Sequence, residues 1–179
     1  MSQPQISYEF FPPHTKAGIT KLVETAQVLA ATDPAYFSVT YGAGGSTRTR
    51  TYETVVELME NGMTMAPHLS WGSDSESTVV SLIDKYRELG VTRIVALRGD
   101  PPSGIGSMAP IRRAHSLVNL IRQRFGDTFI IHVAAYPETH PDALSPEDDI
   151  RFLRKKIQAG ASDCITQYFF NADSYFYFI

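Results

Sequence analysis

The chain has 179 residues, 43% of them hydrophobic and 20% charged, and its 16 Lys and Arg against 19 Asp and Glu give a formal net charge of -3. These values are typical of one globular domain over residues 1–179 that buries a core unaided, and they exclude the basic excess that would hold a nucleic acid. One cysteine excludes an internal disulfide, and neither a signal peptide nor an apolar run near the ~20 residues of a membrane span is present, so we expect a cytoplasmic protein with no membrane partner.

Six short apolar or aromatic runs recur along the chain and predict six β-strands. The runs are Ile6–Phe11, Tyr36–Tyr41, Met65–Ser70, Arg93–Leu97, Phe129–Ala135 and Cys164–Phe170. Segments with helical periodicity separate them. Strict alternation of strand and helix favours a parallel sheet with right-handed crossovers.

Apolar stripes at helical spacing predict the connecting helices. The stripes are Ile19, Leu22, Val23, Ala26, Leu29 and Ala30; Val55, Val56 and Met59; Val79, Leu82, Ile83, Tyr86 and Leu89; Ala114, Leu117, Val118, Ile121 and Phe125; and Ile150, Leu153 and Ile157. The fifth helix has the clearest limits, with Ser145 as N-cap, Pro146 at the first position and Gly160 at the end. A sixth helix is expected to begin near Ser174.

The spacing of the strands favours a (β/α)8 TIM barrel over a doubly wound sheet. Each strand and helix unit takes roughly 31 residues, and eight such units need about 250, the usual length of that barrel. A chain of 179 residues holds about six units. We therefore predict a barrel that is incomplete at its C-terminus, with apolar surface and strand edges left open.

Each predicted strand carries a residue capable of chemistry at or near its carboxyl end. These residues are Glu9, Thr40, His68, Asp100, Tyr136 and Gln167. The carboxyl ends of barrel strands share one face, and that face carries the active site in barrel enzymes. We expect the six side chains to line one pocket, although polar residues also mark the points where loops begin.

The residues at two strand ends suggest specific chemical roles. Glu9 lies among aromatic residues in the segment Ser7–Pro13, so loss of water is expected to raise its pKa and suit it to general acid catalysis; the alternative is a structural ion pair with an arginine. Gly99 permits close backbone approach and Arg98 offers a fork that matches phosphate, while a salt bridge between Arg98 and Asp100 is compatible with either role.

Several other features give weaker signals. The glycine-rich stretches Gly42–Thr47 and Gly104–Ala109 do not support a Rossmann nucleotide site, because spacing or context departs from the fingerprint. The loop Tyr136–Asp142 offers carboxylates and an imidazole that could bind a metal or simply be solvated. Cys164 is predicted to be a small core residue.

Six motifs in this order resemble the methylenetetrahydrofolate reductases in their single-domain bacterial form. The motifs are Ser7–Pro13, Ser38–Arg48, Pro67–Leu69, Ala96–Pro102, Val133–Glu138 and Ile165–Phe170, and the resemblance runs from residue 6 to the last residue. It implies a (β/α)8 barrel that carries FAD. It also implies hydride transfer from NAD(P)H to 5,10-methylenetetrahydrofolate, which yields 5-methyltetrahydrofolate for methionine synthesis and one-carbon metabolism.

The resemblance also implies roles for individual residues. Glu9 is expected to be the acid that promotes opening of the folate's five-membered ring, Asp100 a catalytic aspartate near flavin and pterin, and Gln167 a folate ligand. The residues expected to contact FAD are Thr40, His68, Arg98, Gly99, Asp100, Ala114, Tyr136, His140, Ala143, Asp149 and Lys156. No metal is implied, and a homo-oligomer is expected for the full-length protein.

Two further hypotheses stay open on the sequence. One is an inactive fragment of such a reductase, because strands that complete the family's folate and nicotinamide contacts are absent. The other is a metal-dependent lyase on a TIM barrel, whose ligands would be Glu9, His68, Asp100 and His140.

Overall fold

The computed structural model of this chain describes residues 4–41, 45–72, 74–99 and 112–179. Strands and helices alternate strictly, as predicted. The strands are β1 Ser7–Phe10, β2 Tyr36–Val39, β3 Met65–Ser70, β4 Arg93–Leu97, β5 Ile130–Ala135 and β6 Asp163–Thr166. The helices are α1 Lys16–Ala30, α2 Gly45–Glu60, α3 Glu76–Glu88, α4 Ala114–Phe125, α5 Pro146–Gln158 and α6 Ala172–Phe178.

The six strands form one parallel sheet whose spatial order, β1 to β6, is the order of the chain. A doubly wound sheet would reverse its strand order part of the way along, whereas a TIM barrel adds each strand beside the last. The described residues therefore form a curled arc of six βα units of the (β/α)8 barrel. This confirms the predicted fold class.

The core lies between the central strands and helices α2 to α4. Tyr86 of α3, Leu117 of α4 and Ile131 of β5 are fully buried there. The stripes predicted for α3 and α4 supply most of this surface. The core thins toward both ends of the sheet, where β1 and β6 each pair with one neighbour.

The prediction for the last strand was wrong in its length and in the burial of its cysteine. β6 ends at Thr166 instead of Phe170, and Cys164 is exposed. Beyond the strand, the backbone N–H groups of Phe170 and Asn171 donate to the Glu138 carboxylate instead of extending the ladder. Because β6 pairs only with β5 in the described structure, no further strand buries its residues.

The predicted core stripe of α5 was also wrong in part. The helix begins and ends as expected, with the Ser145 hydroxyl accepting from the Asp148 N–H at its start. However, Ile150 is 39% exposed and Ile157 is 52% exposed. The helix lies over the same poorly covered end of the sheet as β6, so an apolar face forms without a partner to bury it.

A buried histidine joins the strands at the end of the sheet opposite their carboxyl termini. The His132 ring is 4% exposed and stacks on the Tyr36 ring with centroids 5.2 Å apart. Its Nδ1 lies 3.5 Å from an oxygen of Asp163, and its Nε2 lies 3.5 Å from a guanidinium nitrogen of Arg93. Burial lowers the pKa of His132, with Asp163 opposing that effect and Arg93 adding to it.

This burial predicts that acidification destabilises the fold. Below the ordinary histidine pKa of 6.5 the unfolded chain takes up a proton that folded His132 resists, so the free energy of unfolding falls as the pH falls from 6.5 toward the folded-state pKa. Urea unfolding of wild type and His132→Gln at pH 7.5 and 5.5 would measure this: the variant should lose less stability on acidification. The exposed His14→Gln is the control, and identical pH dependence in all three proteins would contradict the prediction.

Candidate active site

A cleft of about 990 Å³ opens at the carboxyl ends of the strands. Twelve of the thirteen site residues predicted from the sequence line it, and the thirteenth, Asp100, lies outside the described residues. The twelve are Glu9, Thr40, His68, Arg98, Gly99, Ala114, Tyr136, His140, Ala143, Asp149, Lys156 and Gln167. The described structure therefore brings together side chains from every strand and from the loops and helices that follow.

Glu9 meets a histidine in the cleft instead of an arginine. An oxygen of its carboxylate lies 3.2 Å from Nε2 of His68, which is itself buried. This hydrogen bond lowers the pKa of Glu9, against the opposing effect of partial burial. The prediction of a raised pKa was therefore wrong for the free cleft, and so was the choice of an arginine as the alternative partner.

The aromatic residues beside Glu9 in the sequence do not surround its carboxylate. Side chains alternate along a strand, so Tyr8 and Phe10 lie on the opposite face from Glu9. Both rings stack on Phe37 of β2, with centroids 5.7 and 5.6 Å apart. The Glu9 side chain remains 56% exposed toward the cleft.

Two predicted residues are placed by backbone bonds that continue the sheet. The Thr40 N–H donates to the carbonyl of Phe10 at 2.9 Å, and the Gln167 N–H donates to the carbonyl of Ala135 at 2.7 Å. Each residue therefore stands one step beyond a strand while still held by the neighbouring chain. Their side chains reach the cleft from a fixed backbone.

Gly99 and Arg98 follow β4 in a conformation that excludes a larger residue at the glycine. Gly99 has a φ of +76°, and a Cβ there would lie 2.7 Å from Oγ of Ser70. Arg98 donates to Asp142 at 2.7 Å, so an ion pair spans two loops of the cleft. Whether Arg98 also meets Asp100, as one hypothesis held, falls outside the described residues.

His140 is held with one ring nitrogen occupied. Its Nδ1 accepts from the Asp142 N–H at 2.9 Å, and its own backbone N–H donates to Asp149 at 2.9 Å. Because Nδ1 is an acceptor, the neutral ring carries its proton on Nε2. The ring also packs edge-on against Tyr136, with centroids 4.5 Å apart. His140 therefore offers a single oriented N–H donor.

Lys156 brings a cation into a largely buried position between β5 and β6. Its ammonium donates to the carbonyl of Ala134. Burial lowers the pKa of Lys156, and the nearby Asp149 carboxylate opposes that effect. Among the described residues the Ala134 carbonyl is the acceptor of this ammonium, whose other N–H groups suit an anionic ligand that replaces lost water.

The structure adds cleft residues that sequence reasoning missed. Tyr41, Arg48, Trp71 and Asp74 line one wall, and Arg113 lies over the ring of Phe152 at 3.7 Å on another. Tyr41 and Arg48 stand within one of the motifs singled out in the sequence, which was the available signal. Two of the pairings, Arg48 with Asp74 and Arg113 with Phe152, join residues far apart in the sequence and carried no signal.

The metal-site hypotheses find no support among the described residues. Within those ranges, no group of three or more His, Cys, Asp and Glu side chains is arranged to hold a metal ion. Glu9, His68 and His140 therefore do not form such a group, and the fourth proposed ligand, Asp100, is not described.

The stretches Gly42–Gly44 and Gly104–Ala109 also lie outside the described residues. None of the helices in the described ranges is long and apolar enough to cross a membrane.

Comparisons with known proteins place the chain in one family. The family model described as methylenetetrahydrofolate reductase matches residues 1–179. A 5,10-methylenetetrahydrofolate reductase of Pectobacterium carotovorum is 41% identical over 97% of this chain and 57% of its own length, and that of Escherichia coli K12 is 39% identical over 98% and 58%. An Arabidopsis thaliana protein named methylenetetrahydrofolate reductase (NADH) 1 is 35% identical, with 99% of this chain matching 32% of it.

A solved structure shares the fold without close sequence similarity. The crystal structure of 2,3-dimethylmalate lyase, a PEP mutase/isocitrate lyase superfamily member, superposes with a TM-score of 0.61 over 95% of this chain and 59% of that chain. Sequence identity is 10%. This likeness concerns the fold alone.

Proposed function

The chain belongs to the methylenetetrahydrofolate reductase family, and we propose that its cleft binds FAD and reduces 5,10-methylenetetrahydrofolate to 5-methyltetrahydrofolate with hydride from NAD(P)H. The observation that carries this proposal is the convergence of residues from all six βα units on one cleft. The chain spans 57% of the length of its Pectobacterium relative. The activity, substrates and cofactor of a whole enzyme are therefore stated for this chain only as a proposal.

The cleft is large enough for FAD, and its residues offer suitable cations and hydrogen-bond donors. A volume of about 990 Å³ lies at the upper end for small-molecule sites. Arg98 and Lys156 supply cations for a pyrophosphate, and His140 supplies an oriented N–H donor. Gly99 lets backbone approach a ligand closely. When bound, FAD would accept hydride from a nicotinamide and later donate it to an electrophilic carbon.

Glu9 is proposed to donate a proton to the folate substrate. In the free cleft its hydrogen bond with His68 favours the carboxylate, and more than half of the side chain meets water. A folate that covers this exposed surface would remove water and favour the neutral acid. Glu9 would then protonate the ring nitrogen as its bond to the methylene carbon breaks. Gln167 is proposed to orient the same substrate.

Flavin binding tests the proposal directly. We expect the full-length protein to purify yellow with non-covalent FAD. Arg98→Ala should weaken FAD binding by about 10- to 150-fold, because one charge-assisted contact is worth about 1.5–3 kcal/mol. Fluorescence titration of the apoprotein with FAD measures the dissociation constant. NADH and NADPH oxidation with methylenetetrahydrofolate then tests turnover.

Arg124→Ala provides a matched control for the loss of an arginine. Arg124 pairs with Glu76 at 2.7 Å, the same separation as Arg98 and Asp142, but on the helical outer layer. Its replacement should leave FAD affinity within about twofold of wild type. A colourless protein that binds no FAD and gains activity with a divalent metal would refute the proposed function.

A further inference from the structure

We propose that Arg48 and Asp74 are positioning residues that hold the Tyr41 hydroxyl as a hydrogen-bond donor to a ligand in the cleft. All three residues line the cleft. The ligand is taken to be FAD, so this inference rests on the proposed function. None of the three belongs to the site residues derived from the sequence.

The hydroxyl of Tyr41 lies beside the guanidinium of Arg48. Nε of Arg48 donates to the Tyr41 oxygen at 2.7 Å. A phenol has one hydrogen to donate, and here its oxygen already accepts from a cation. In the described part of the chain no acceptor takes the Tyr41 hydrogen, so that hydrogen is available to a ligand in the cleft.

The Arg48 side chain is held in one direction by Asp74. Its outer nitrogen forms an ion pair with the Asp74 carboxylate. The two side chains are 26% and 24% exposed, so both are largely shielded from water. A guanidinium bound at both Nε and an outer nitrogen cannot rotate without breaking one of the bonds. Asp74 therefore fixes the position of the Arg48 N–H that donates to the Tyr41 oxygen.

Asp74 is itself held in place by Trp71. Its backbone is tied to Trp71 by two bonds of 3.2 Å, one from the Asp74 N–H to the Trp71 carbonyl and one from the Trp71 indole to the Asp74 carbonyl. Trp71 is 4% exposed, and the Arg112 guanidinium lies 4.1 Å from its ring centroid. The anchor of the cluster is thus a buried aromatic ring.

The contact with Arg48 makes the Tyr41 hydroxyl a stronger hydrogen-bond donor. A cation that donates to a phenol oxygen polarises the O–H bond and strengthens it as a donor. Burial raises the pKa of Tyr41, so the phenol keeps its hydrogen at neutral pH. The Asp74 carboxylate balances the Arg48 charge, which leaves a directional donor instead of a net positive site.

The location of Tyr41 also favours a ligand role. Tyr41 directly follows Thr40, whose carbonyl accepts from the Thr51 hydroxyl of α2 at 2.9 Å. Helix α2 therefore holds both residues, through Thr51 and through Arg48 one turn earlier. A shift of Arg48 would displace the Tyr41 donor while Thr40 stays bound to the sheet.

A double-mutant cycle separates positioning from general stability. In the full-length protein, Asp74→Asn and Tyr41→Phe should each weaken FAD binding by roughly tenfold. If Asp74 acts through Tyr41, adding Asp74→Asn to Tyr41→Phe should weaken binding by no more than about twofold further. Asp84→Asn, which breaks the surface pair of Asp84 with Arg87, is the control and should bind FAD as wild type does. Additive losses near a hundredfold in the double variant would overturn the inference.

A readout on the apoprotein keeps the inference distinct from the proposed function. The NMR signal of tyrosine labelled with 13C at Cζ reports hydrogen bonding at the phenol, and Tyr41→Phe assigns it. We expect this signal to shift in Arg48→Gln and in Asp74→Asn and to stay unchanged in Asp84→Asn. An unchanged signal in the first two variants would overturn the inference whether or not FAD binds. Failure of wild type to bind FAD would instead refute the proposed function.

Discussion

Glu9→Gln is expected to leave reduction of the flavin by NAD(P)H intact and to slow its reoxidation by methylenetetrahydrofolate by about 10²- to 10⁴-fold. The amide is nearly the same size as the acid and can still meet His68, which lies 3.2 Å from the carboxylate. It cannot give up a proton to the folate ring nitrogen. The loss should therefore fall on one half-reaction only.

Stopped-flow absorbance measures the two half-reactions separately. Bleaching of the flavin by NAD(P)H without folate reports the first, and return of the colour on mixing with methylenetetrahydrofolate reports the second. Glu24→Gln, on the exposed side of α1, is the matched control and should change neither. Equal losses in both half-reactions would show that Glu9 maintains the structure of the cleft instead of donating a proton.

The protonation state of Glu9 in the wild-type cleft adds a qualitative expectation. Because His68 lowers the pKa of Glu9 in the free cleft, the carboxylate predominates there at neutral pH. Catalysis as proposed needs the neutral acid, so occupancy of the cleft must reverse this balance by removing water from the exposed part of the side chain. Glu9 is therefore proposed to take up a proton when the substrate binds.

The architecture could be predicted because its signals are local and repeated. β3 and β4 have the predicted bounds, since both are apolar runs buried on both faces and limited by polar loops. The N-cap at Ser145 and the glycine after α5 also mark their positions by local chemistry. The rule that parallel strands share a carboxyl end then gathers the site residues into one cleft.

The partners within the cleft could not be predicted in the same way. His68 lies beside Glu9 only because β1, β2 and β3 are adjacent, and Asp142 lies beside Arg98 only because two loops meet. Each pair joins residues far apart in the sequence. The expected pKa of Glu9 failed for this reason, since it considered neighbours along the strand and not across the sheet.

The errors at the C-terminal end of the chain have a different cause. Apolar residues in Cys164–Phe170 and along α5 have the spacing of a buried strand and a buried helix face. Spacing expresses a preference for burial, whereas burial itself requires a neighbouring element. In the described structure β6 has one strand neighbour, so the same pattern leaves Ile165 40% exposed.

The 179-residue polypeptide, expressed by itself, is expected to aggregate or self-associate and to bind FAD poorly. Large apolar side chains at this end of the fold meet water, namely Ile165, Tyr168, Phe170, Phe176, Tyr177 and Ile179. In the described structure β1 and β6 also have one backbone edge each without a paired strand, and such edges template association with other chains. At about 25 cal/mol per Å², roughly 400 Å² of such surface amounts to about 10 kcal/mol, comparable with the stability of a whole domain.

Size-exclusion chromatography with light scattering, followed by FAD titration, tests this expectation. Phe170→Ser and Tyr177→Ser together should reduce association of the 179-residue polypeptide, because these side chains are 86% and 92% exposed and support no core. Arg87→Gln, a surface change on α3, should not. A soluble monomer that holds one FAD and turns over methylenetetrahydrofolate would show that the open end of the sheet needs no cover, because the cleft and its donors would then function on six βα units alone.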